Sequence, residues 1–471
     1  MYKARLWSVR HALALRRIYG VFGRYAPRLA PVVRLLGAGR SETFLRPLEQ
    51  AAKGFLFDCR MCGQCVLSTT GMACPMNCAK AMRNGPCGGV RADGGCEVKP
   101  DMRCVWIEAI AGGTNIAGDR EILPATILPP VDHGRAGRST WLQVISGAPE
   151  PGSSPAAGVV IEHAAARFER ACNSGRPVVT VEVAPPDSAD PAALLARARR
   201  FEGLVDAINV TDGAGGNCHM SSVAASAILA GQGLVPVYQI ACRDRNRIAI
   251  QGDLLGAAAL GVHNILCLTG DDVSQGDHPQ AKPVFDLDAV SLLHIARGMR
   301  DRGEYASGRK LDRAPGLFIG ATANPFVPPH RDRIVNLEKK VDAGAQFIQT
   351  QFCFDPALLE DFMREVRARE LHRRCKIIVG VGTLGSARAL RWMAAHVPGV
   401  HVPEALLARI GAASDQKEAA KRACIETITS VAGIEGVAGV HVMGHKNEEV
   451  LAEIIVESGL RRGITTTGDG T

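Results

Sequence analysis

The sequence has no acidic residue in its first 41 positions and no apolar stretch fit to cross a bilayer. The best approach to a span, Met220 to Cys242, carries no formal charge, yet Gly231, Gly233 and Pro236 divide it into an amphipathic helix and a buried strand. No stretch reads as a signal peptide either, because Arg at positions 10, 16, 17, 24, 28 and 34 interrupts the apolar residues of the N-terminus. A cytoplasmic protein without a transmembrane segment is therefore expected. Net charge is +8, but nine basic residues fall within those first 41 positions, so the remainder is close to neutral and nucleic-acid binding has no broad electrostatic support. With 46% hydrophobic and 22% charged residues, the composition is that of an ordinary globular protein, which excludes general disorder.

Cysteine is what the chain has in quantity. Fifteen cysteines without an export signal argue for metal ligation or redox chemistry over disulfides. Eight of them, Cys59, Cys62, Cys65, Cys74, Cys78, Cys87, Cys96 and Cys104, fall within 46 residues, and the other seven are scattered singly, as small buried hydrophobes are. In Cys59-x2-Cys62-x2-Cys65, two intervening residues let a tight loop turn successive sulfurs inward onto three corners of a cluster. Cys74, followed by Pro75, supplies the fourth corner in a ferredoxin-type arrangement. Eight thiolates suffice for two 4Fe–4S clusters, or for one cluster and one four-thiolate zinc site; a purely structural zinc module is the other reading of the spacing.

From about residue 158 strand-like apolar runs alternate with helical periods. The runs are Val178 to Val183, Ala207 to Thr211, Val235 to Cys242, Asn264 to Thr269, Leu317 to Ala323, Phe347 to Phe352, Lys376 to Gly382 and Val440 to Met443. Eight βα units of this kind predict a closed (β/α)8 TIM barrel, with a doubly wound open sheet as the alternative. A helix over Val159 to Asn173 would close its bottom. Glu182, Thr211, Arg243, Asp244, Asp271, Asn324, Gln351 and His445 all end or follow a strand, so a barrel gathers them at its C-terminal mouth. Taken singly, Asp244 and Asp271 are equally good helix caps. The expected organisation is a basic N-terminal helical segment (1–46), a small cysteine-rich metal-binding domain (47–118), a Pro/Gly/Ser-rich linker (119–157) and the barrel (158–468).

"CGQC", "CP", "RNGPCGG", "GGCEVKP" and "CVW" resemble the cysteine-rich module that accompanies bacterial, acetogen-type methylenetetrahydrofolate reductases. "TVEVAPP", "DAINVTDG", "CRDRNRIAIQGDLLGA", "LTGDD", "GDHPQAKPVFDLD" and "VDAGAQFIQTQF" resemble the reductase barrel itself. The resemblance implies interconversion of 5,10-methylenetetrahydrofolate and 5-methyltetrahydrofolate, with a flavin as cofactor and NAD(P)H or ferredoxin as electron partner. It implies Glu182 as the general acid, flanked by Val181, Val183 and Ala184, apolar neighbours of the kind that help a carboxyl keep its proton. Asp271 would lie near flavin and pterin as a buried acceptor for the pterin's N–H groups. Gln351 would contact folate, with Gln349, two residues earlier on the same side of the strand, sharing the role. Thr211, Gly270, Asn324, Asn336 and Lys340 would hold the flavin.

Arg333 stands where the family has an aspartate, and the connection from Asn324 to Asn336 is short, which favours FMN over FAD. The glycines of "TDGAGGNCHMSS" suggest a mobile loop or room for a different electron donor. A homo-oligomer and a redox partner protein are further expectations. The competing function is a folate-binding or redox-accessory subunit without turnover of its own, which Glu182, Asp271 and Gln351 together disfavour. No methyl-transfer site of a corrinoid-dependent enzyme is found.

Overall fold

The computed structural model describes residues 2–117, 127–147, 161, 163–397, 399–444 and 447–460. It divides the chain into two compact units. One is the N-terminal region up to residue 157 without residues 88–93, joined by Phe285–Ser291; the other holds the rest.

The second unit is a closed parallel barrel whose strands follow one another in chain order. They are β1 (Val178–Val183), β2 (Ala207–Val210), β3 (Pro236–Ala241), β4 (Asn264–Leu268), β5 (Phe318–Ala323), β6 (Phe347–Phe352), β7 (Lys376–Gly382) and β8 (Val437–Met443). Strand side chains alternate in direction, so inward residues recur every second position and stack in layers. The lowest layer is apolar: Val178, Ala207, Val237, Leu266, Phe318, Phe347 and Ile378 form one buried cluster with Phe168 and Cys172. Phe168 comes from the helix Arg167–Asn173, and its ring meets Phe318 and Phe347 edge-on at 5.7 and 5.4 Å. This helix plugs the barrel as expected, but it is shorter than Val159 to Asn173, since residues 163–166 are not helical. Side-chain caps by Asp190, Asn246, Asp355 and Ser386 start the helices that follow β1, β3, β6 and β7. Asp244 and Asp271 are not among these caps.

In the first unit, the helices Tyr2–Arg10 and Ala12–Tyr25 pack on Ala38–Phe57 and Val105–Ala117. Arg5 donates from Nε and Nη2 to the carboxylate of Glu108 at 2.9 and 3.0 Å, and both side chains are buried. The basic segment 1–46 is therefore part of the cysteine-rich unit. The same holds for residues 127–147 of the expected linker, where Ser139 caps the helix Thr140–Ile145 and donates to Glu49 at 2.6 Å; the linker's remaining residues lie outside the described ones.

Two glycines set the closest backbone approach in this unit. A Cβ on Gly112 would lie 1.9 Å from the Gly71 carbonyl oxygen, and Gly71 itself has φ +58°. Gly112→Ala is expected to destabilise the unit by about 3 kcal/mol through forced backbone displacement. Gly54→Ala, on a helix face with nothing within 4 Å, should stabilise it by about 0.5–1 kcal/mol. Denaturant midpoints of the two variants check the contrast.

Candidate active site and cysteine clusters

Two residues above the apolar layer of the barrel lies a polar belt. Asn209 of β2 donates from Nδ2 to Gln349 Oε1 of β6 at 2.6 Å, and Gln349 Nε2 donates back to Asn209 Oδ1 at 3.1 Å and to Thr180 Oγ1 of β1 at 3.2 Å. Thr180 Oγ1 lies 2.9 Å from His441 Nδ1 of β8. The Thr180 hydroxyl, which accepts from Gln349, joins His441 to this belt, and the other ring nitrogen of His441 is Nε2. That nitrogen lies 3.9 Å from Glu182 Oε2.

One layer higher, at the mouth, stands Glu182. Its side chain is 28% exposed, and Gln239 Nε2 of β3 donates to its Oε2 at 3.1 Å. Gln239 of β3 and His441 of β8 thus flank this carboxyl group. Thr211, directly after β2, is buried, and its hydroxyl has no hydrogen-bond partner among the described residues. Gln351 is half-buried at the mouth, where its Oε1 accepts from the Phe352 amide at 3.0 Å.

Several expected site residues have other surroundings. Gln349 is buried in the belt, one layer below Gln351, because two strand residues advance about 6.6 Å along the barrel. Asp271 lies beyond the end of β4 and is exposed, not buried, with its Oδ2 taking the Gly215 amide at 2.8 Å. The loop after β2 needs its glycines for another reason: Gly213, Gly215 and Gly216 have φ of +56°, +66° and +77°, and a Cβ on Gly216 would lie 2.9 Å from Asp272 O. A Cβ on Gly276 would lie 2.0 Å from Gly216 O, so the loops after β2 and β4 pack at a distance that only glycine allows. Gly270 has φ +95°, and a Cβ there would come within 2.7 Å of Arg243 Cβ, so its backbone freedom serves strand-end packing. Arg243 itself pairs with Asp244 at 2.7 Å and donates to Gly213 O.

Asn324 donates to Gly399 O at 2.9 Å and accepts from Phe326 N at 3.2 Å, which ties its amide to loop backbone. Arg333 is buried and donates to the carbonyls of Val327 and Pro328 at 3.2 and 3.3 Å. Its charge holds its own loop, so it does not supply the argument for FMN. Lys340 Nζ donates to Thr322 O at 2.6 Å, and Asn336, like Lys340, is half-buried. His445 lies outside the described residues.

The eight cysteines of the first unit form two sets. Cys59, Cys62, Cys65 and Cys74 line one pocket, with the buried side chains of Lys53 and Arg83. Burial pushes the Cys74 thiol up to about 12, with Cys59, Cys62 and Cys65 close enough to add to the rise. In the second set burial pushes Cys78 up to about 12, with Cys104 and Cys96 as neighbours, and raises Cys87, whose neighbours include Cys78 and Cys104. Backbone amides point at these sulfurs: Met61 N donates to Cys59 at 3.4 Å, Met76 N to Cys74, and Lys80 N and Met82 N to Cys78. A short antiparallel bridge, Gly95 with Arg103, brings Cys96 and Cys104 together. Among the described residues no three or more His, Cys, Asp or Glu side chains converge on a position for a single ion. Arg83 Nε and Nη2 are buried with no hydrogen-bond partner among the described residues.

The comparisons with known proteins fall on both units. The family model described as methylenetetrahydrofolate reductase matches residues 167–459, and the one described as methylene-tetrahydrofolate reductase C terminal matches residues 39–133. Methylenetetrahydrofolate reductase 2 of Schizosaccharomyces pombe is 29% identical over 273 residues, which cover 54% of this chain and 40% of the relative. The probable methylenetetrahydrofolate reductase (NADPH) of Caenorhabditis elegans is 25% identical over 244 residues, covering 51% of this chain and 34% of its own. The chain thus spans less than half the length of either relative. A solved structure described as an uncharacterized protein from Clostridium thermocellum that binds two copies of 5-methyl-5,6,7,8-tetrahydrofolic acid aligns with 14% identity and a TM-score of 0.42, over 61% of this chain and 96% of its own. With the reductase model matching more than half of its 471 residues, this chain belongs to the methylenetetrahydrofolate reductase family.

Proposed function

We propose that the protein reduces 5,10-methylenetetrahydrofolate to 5-methyltetrahydrofolate, or runs the reverse reaction, at the mouth of its barrel. The observation that carries this reading is Glu182, a carboxyl open to the mouth and oriented by Gln239. Reduction requires opening of the five-membered ring that bridges N5 and N10 of the folate. The electrons of the breaking C–N bond stay on N10, which needs a proton, and the methylene carbon becomes an electrophilic iminium at N5. Glu182 is the acid that delivers the proton to N10. Once it is an anion, the Gln239 amide donates to its charge, which favours the proton's departure. His441 acts as a positioning residue through the Thr180 and Gln349 network.

Asp271 presents its second carboxylate oxygen to the N–H groups of the pterin edge, while Gly215 holds the first. Gln351, with its oxygen engaged by Phe352, offers Nε2 as a donor to the same ring. The orphaned Thr211 hydroxyl suits the polar edge of a flavin, and Asn336 and Lys340 would hold the remainder of FMN or FAD. Such a flavin would supply the hydride that the iminium carbon accepts.

In the first unit, the two cysteine sets suit 4Fe–4S clusters. The thiols of the first set line a common pocket, which gives a cluster room. A zinc ion would draw four sulfurs to within about 3.8 Å of one another. Backbone N–H groups aimed at sulfur and the unpartnered guanidinium of Arg83 both favour an anionic cluster over four neutral thiols. A one-electron carrier such as ferredoxin is the electron partner that matches clusters, and NAD(P)H is the one that matches a zinc module.

Anaerobically prepared protein should form 5-methyltetrahydrofolate from 5,10-methylenetetrahydrofolate when its flavin is reduced; absence of product with flavin bound would refute the proposal. In the same assay Gln351→Ala should raise the folate concentration for half-maximal rate about tenfold, within the 1–3 kcal/mol of a buried side-chain hydrogen bond, and leave flavin content unchanged. Equal loss of flavin and folate binding would assign Gln351 a structural role.

A further inference from the structure

Of the 19 large apolar side chains exposed among the described residues, 13 lie between Tyr2 and Phe55. Six of these form a single stripe. Ile18, Val21, Tyr25, Leu29, Val32 and Leu35 follow one another at steps of three or four residues, with exposures from 48% to 88%. They run along the helix Ala12–Tyr25, the turn Ala26–Leu29 and the helix Ala30–Leu36, whose junction residues keep right-handed helical dihedrals. The rod is therefore nearly continuous. Pro27 and Pro31 fall in the first turns of the second and third pieces, where a missing amide hydrogen costs nothing.

One helical position away, Ala12, Leu15, Tyr19, Phe22 and Ala26 face the rest of the unit: Ala12 and Ala26 are buried, Leu15 packs on the core that contains Phe57 and Met72, and Phe22 meets Trp141 at 5.6 Å. The outward stripe is thus not core turned inside out; it is a second apolar face left without a neighbour.

Arginines accompany it. Arg17, Arg24 and Arg28 each precede a stripe residue by one position, about 100° round the helix. Lys3, Arg10, Arg16, Arg34 and Arg40 are also exposed, and none of these eight cations makes an ion pair among the described residues. Between residues 12 and 39 there is no Ser, Thr, Asn, Gln, His, Asp or Glu. Its only polar side chains are arginines and two tyrosines.

That inventory separates the occupants of such a face. A protein partner calls for a polar rim with hydrogen bonds in both directions, about one per 100–200 Å², and this face carries almost no side-chain acceptors. A second copy of the chain would set eight unpaired cations against eight more. A bilayer surface asks only for apolar side chains that enter the acyl boundary, aromatic side chains near it, and cations at the level of the phosphates. Among the described residues, no helix is long and apolar enough to cross a membrane, as befits a segment that lies in the interface. We propose that this stripe docks the protein on an anionic phospholipid bilayer. The inference does not rest on the reductase reading.

Co-sedimentation of the full chain with vesicles tests it, with pure phosphatidylcholine compared against phosphatidylcholine containing about 30% phosphatidylglycerol. The chain should pellet with the anionic vesicles only and be released by added salt. The double variant Ile18→Glu/Leu35→Glu, at exposed positions that leave the inner face intact, should bind at least about tenfold more weakly with unchanged circular dichroism. Arg24→Gln/Arg28→Gln should weaken binding by a similar factor without touching the apolar stripe. Failure to pellet with anionic vesicles, or unchanged binding by both variants, overturns the proposal. A dimer in size-exclusion chromatography that Ile18→Glu/Leu35→Glu abolishes, without vesicle binding, assigns the face to a second copy and overturns it as well.

Discussion

Glu182→Gln should lower the rate of methylenetetrahydrofolate reduction by at least about a hundredfold, the usual scale for loss of a general acid. The substitution keeps the size of the side chain and a polar group for Gln239 to meet, so the mouth of the barrel should stay in shape. What it removes is the proton that N10 needs as it leaves. Flavin binding and reduction of the flavin by its electron donor involve no proton at N10 and should be little changed. Separate measurement of the two half-reactions therefore isolates the role. Near-normal folate turnover in Glu182→Gln would show that another group is the acid; equal slowing of both halves would point to a disturbed site.

The barrel was legible because parallel strands buried on both faces read as apolar runs whatever their neighbours. The start of β8 was the main exception: Val437–Gly439 contains a glycine whose added Cβ would lie 2.0 Å from Val178 O, so close pairing with β1 replaced the apolar signal that marks the other strands. Strand ends announced Glu182, Thr211 and Gln351, since polar residues at the close of an apolar run have few places to go except the mouth. The polar belt was not read, although a trace of it was present. Thr180 before Glu182, Asn209 before Thr211 and Gln349 before Gln351 each repeat a polar residue at the strand period of two, which marks a second inward layer. His441 completes that layer from β8. Its partners Thr180 and Gln349 are 261 and 92 residues away, and no local pattern could join them. The loop contacts of Asn324, expected at the flavin, and of Arg333, whose charge was read as favouring FMN, were not legible for the opposite reason. Their sequence positions are suitable, but carbonyls of short loops claim their donors.

The largest effect expected in the first unit concerns its cysteines. If each cysteine set holds a 4Fe–4S cluster, anaerobic protein should be brown and carry about eight iron and eight sulfide per chain. Cys62→Ser should remove about four of each, and Cys87→Ser a different four, because the two sets share no cysteine. The cluster that survives in each variant serves as its own control for folding. Loss of all iron in both variants would instead mean that the unit unfolds when either site is broken. The two sites also differ in surroundings: Arg83 lines the pocket of Cys59, Cys62, Cys65 and Cys74, whereas Lys80, paired with Glu97, lies beside Cys87. An unpaired cation next to a cluster stabilises its more negative, reduced state, so Arg83→Gln should make the cluster lost in Cys62→Ser harder to reduce and leave the other unchanged. Stoichiometric zinc without sulfide would sink the cluster reading for both sites. The barrel chemistry would stand, since Glu182, Asp271 and Gln351 need no metal, and the electrons would then come from a nicotinamide nucleotide at the barrel mouth.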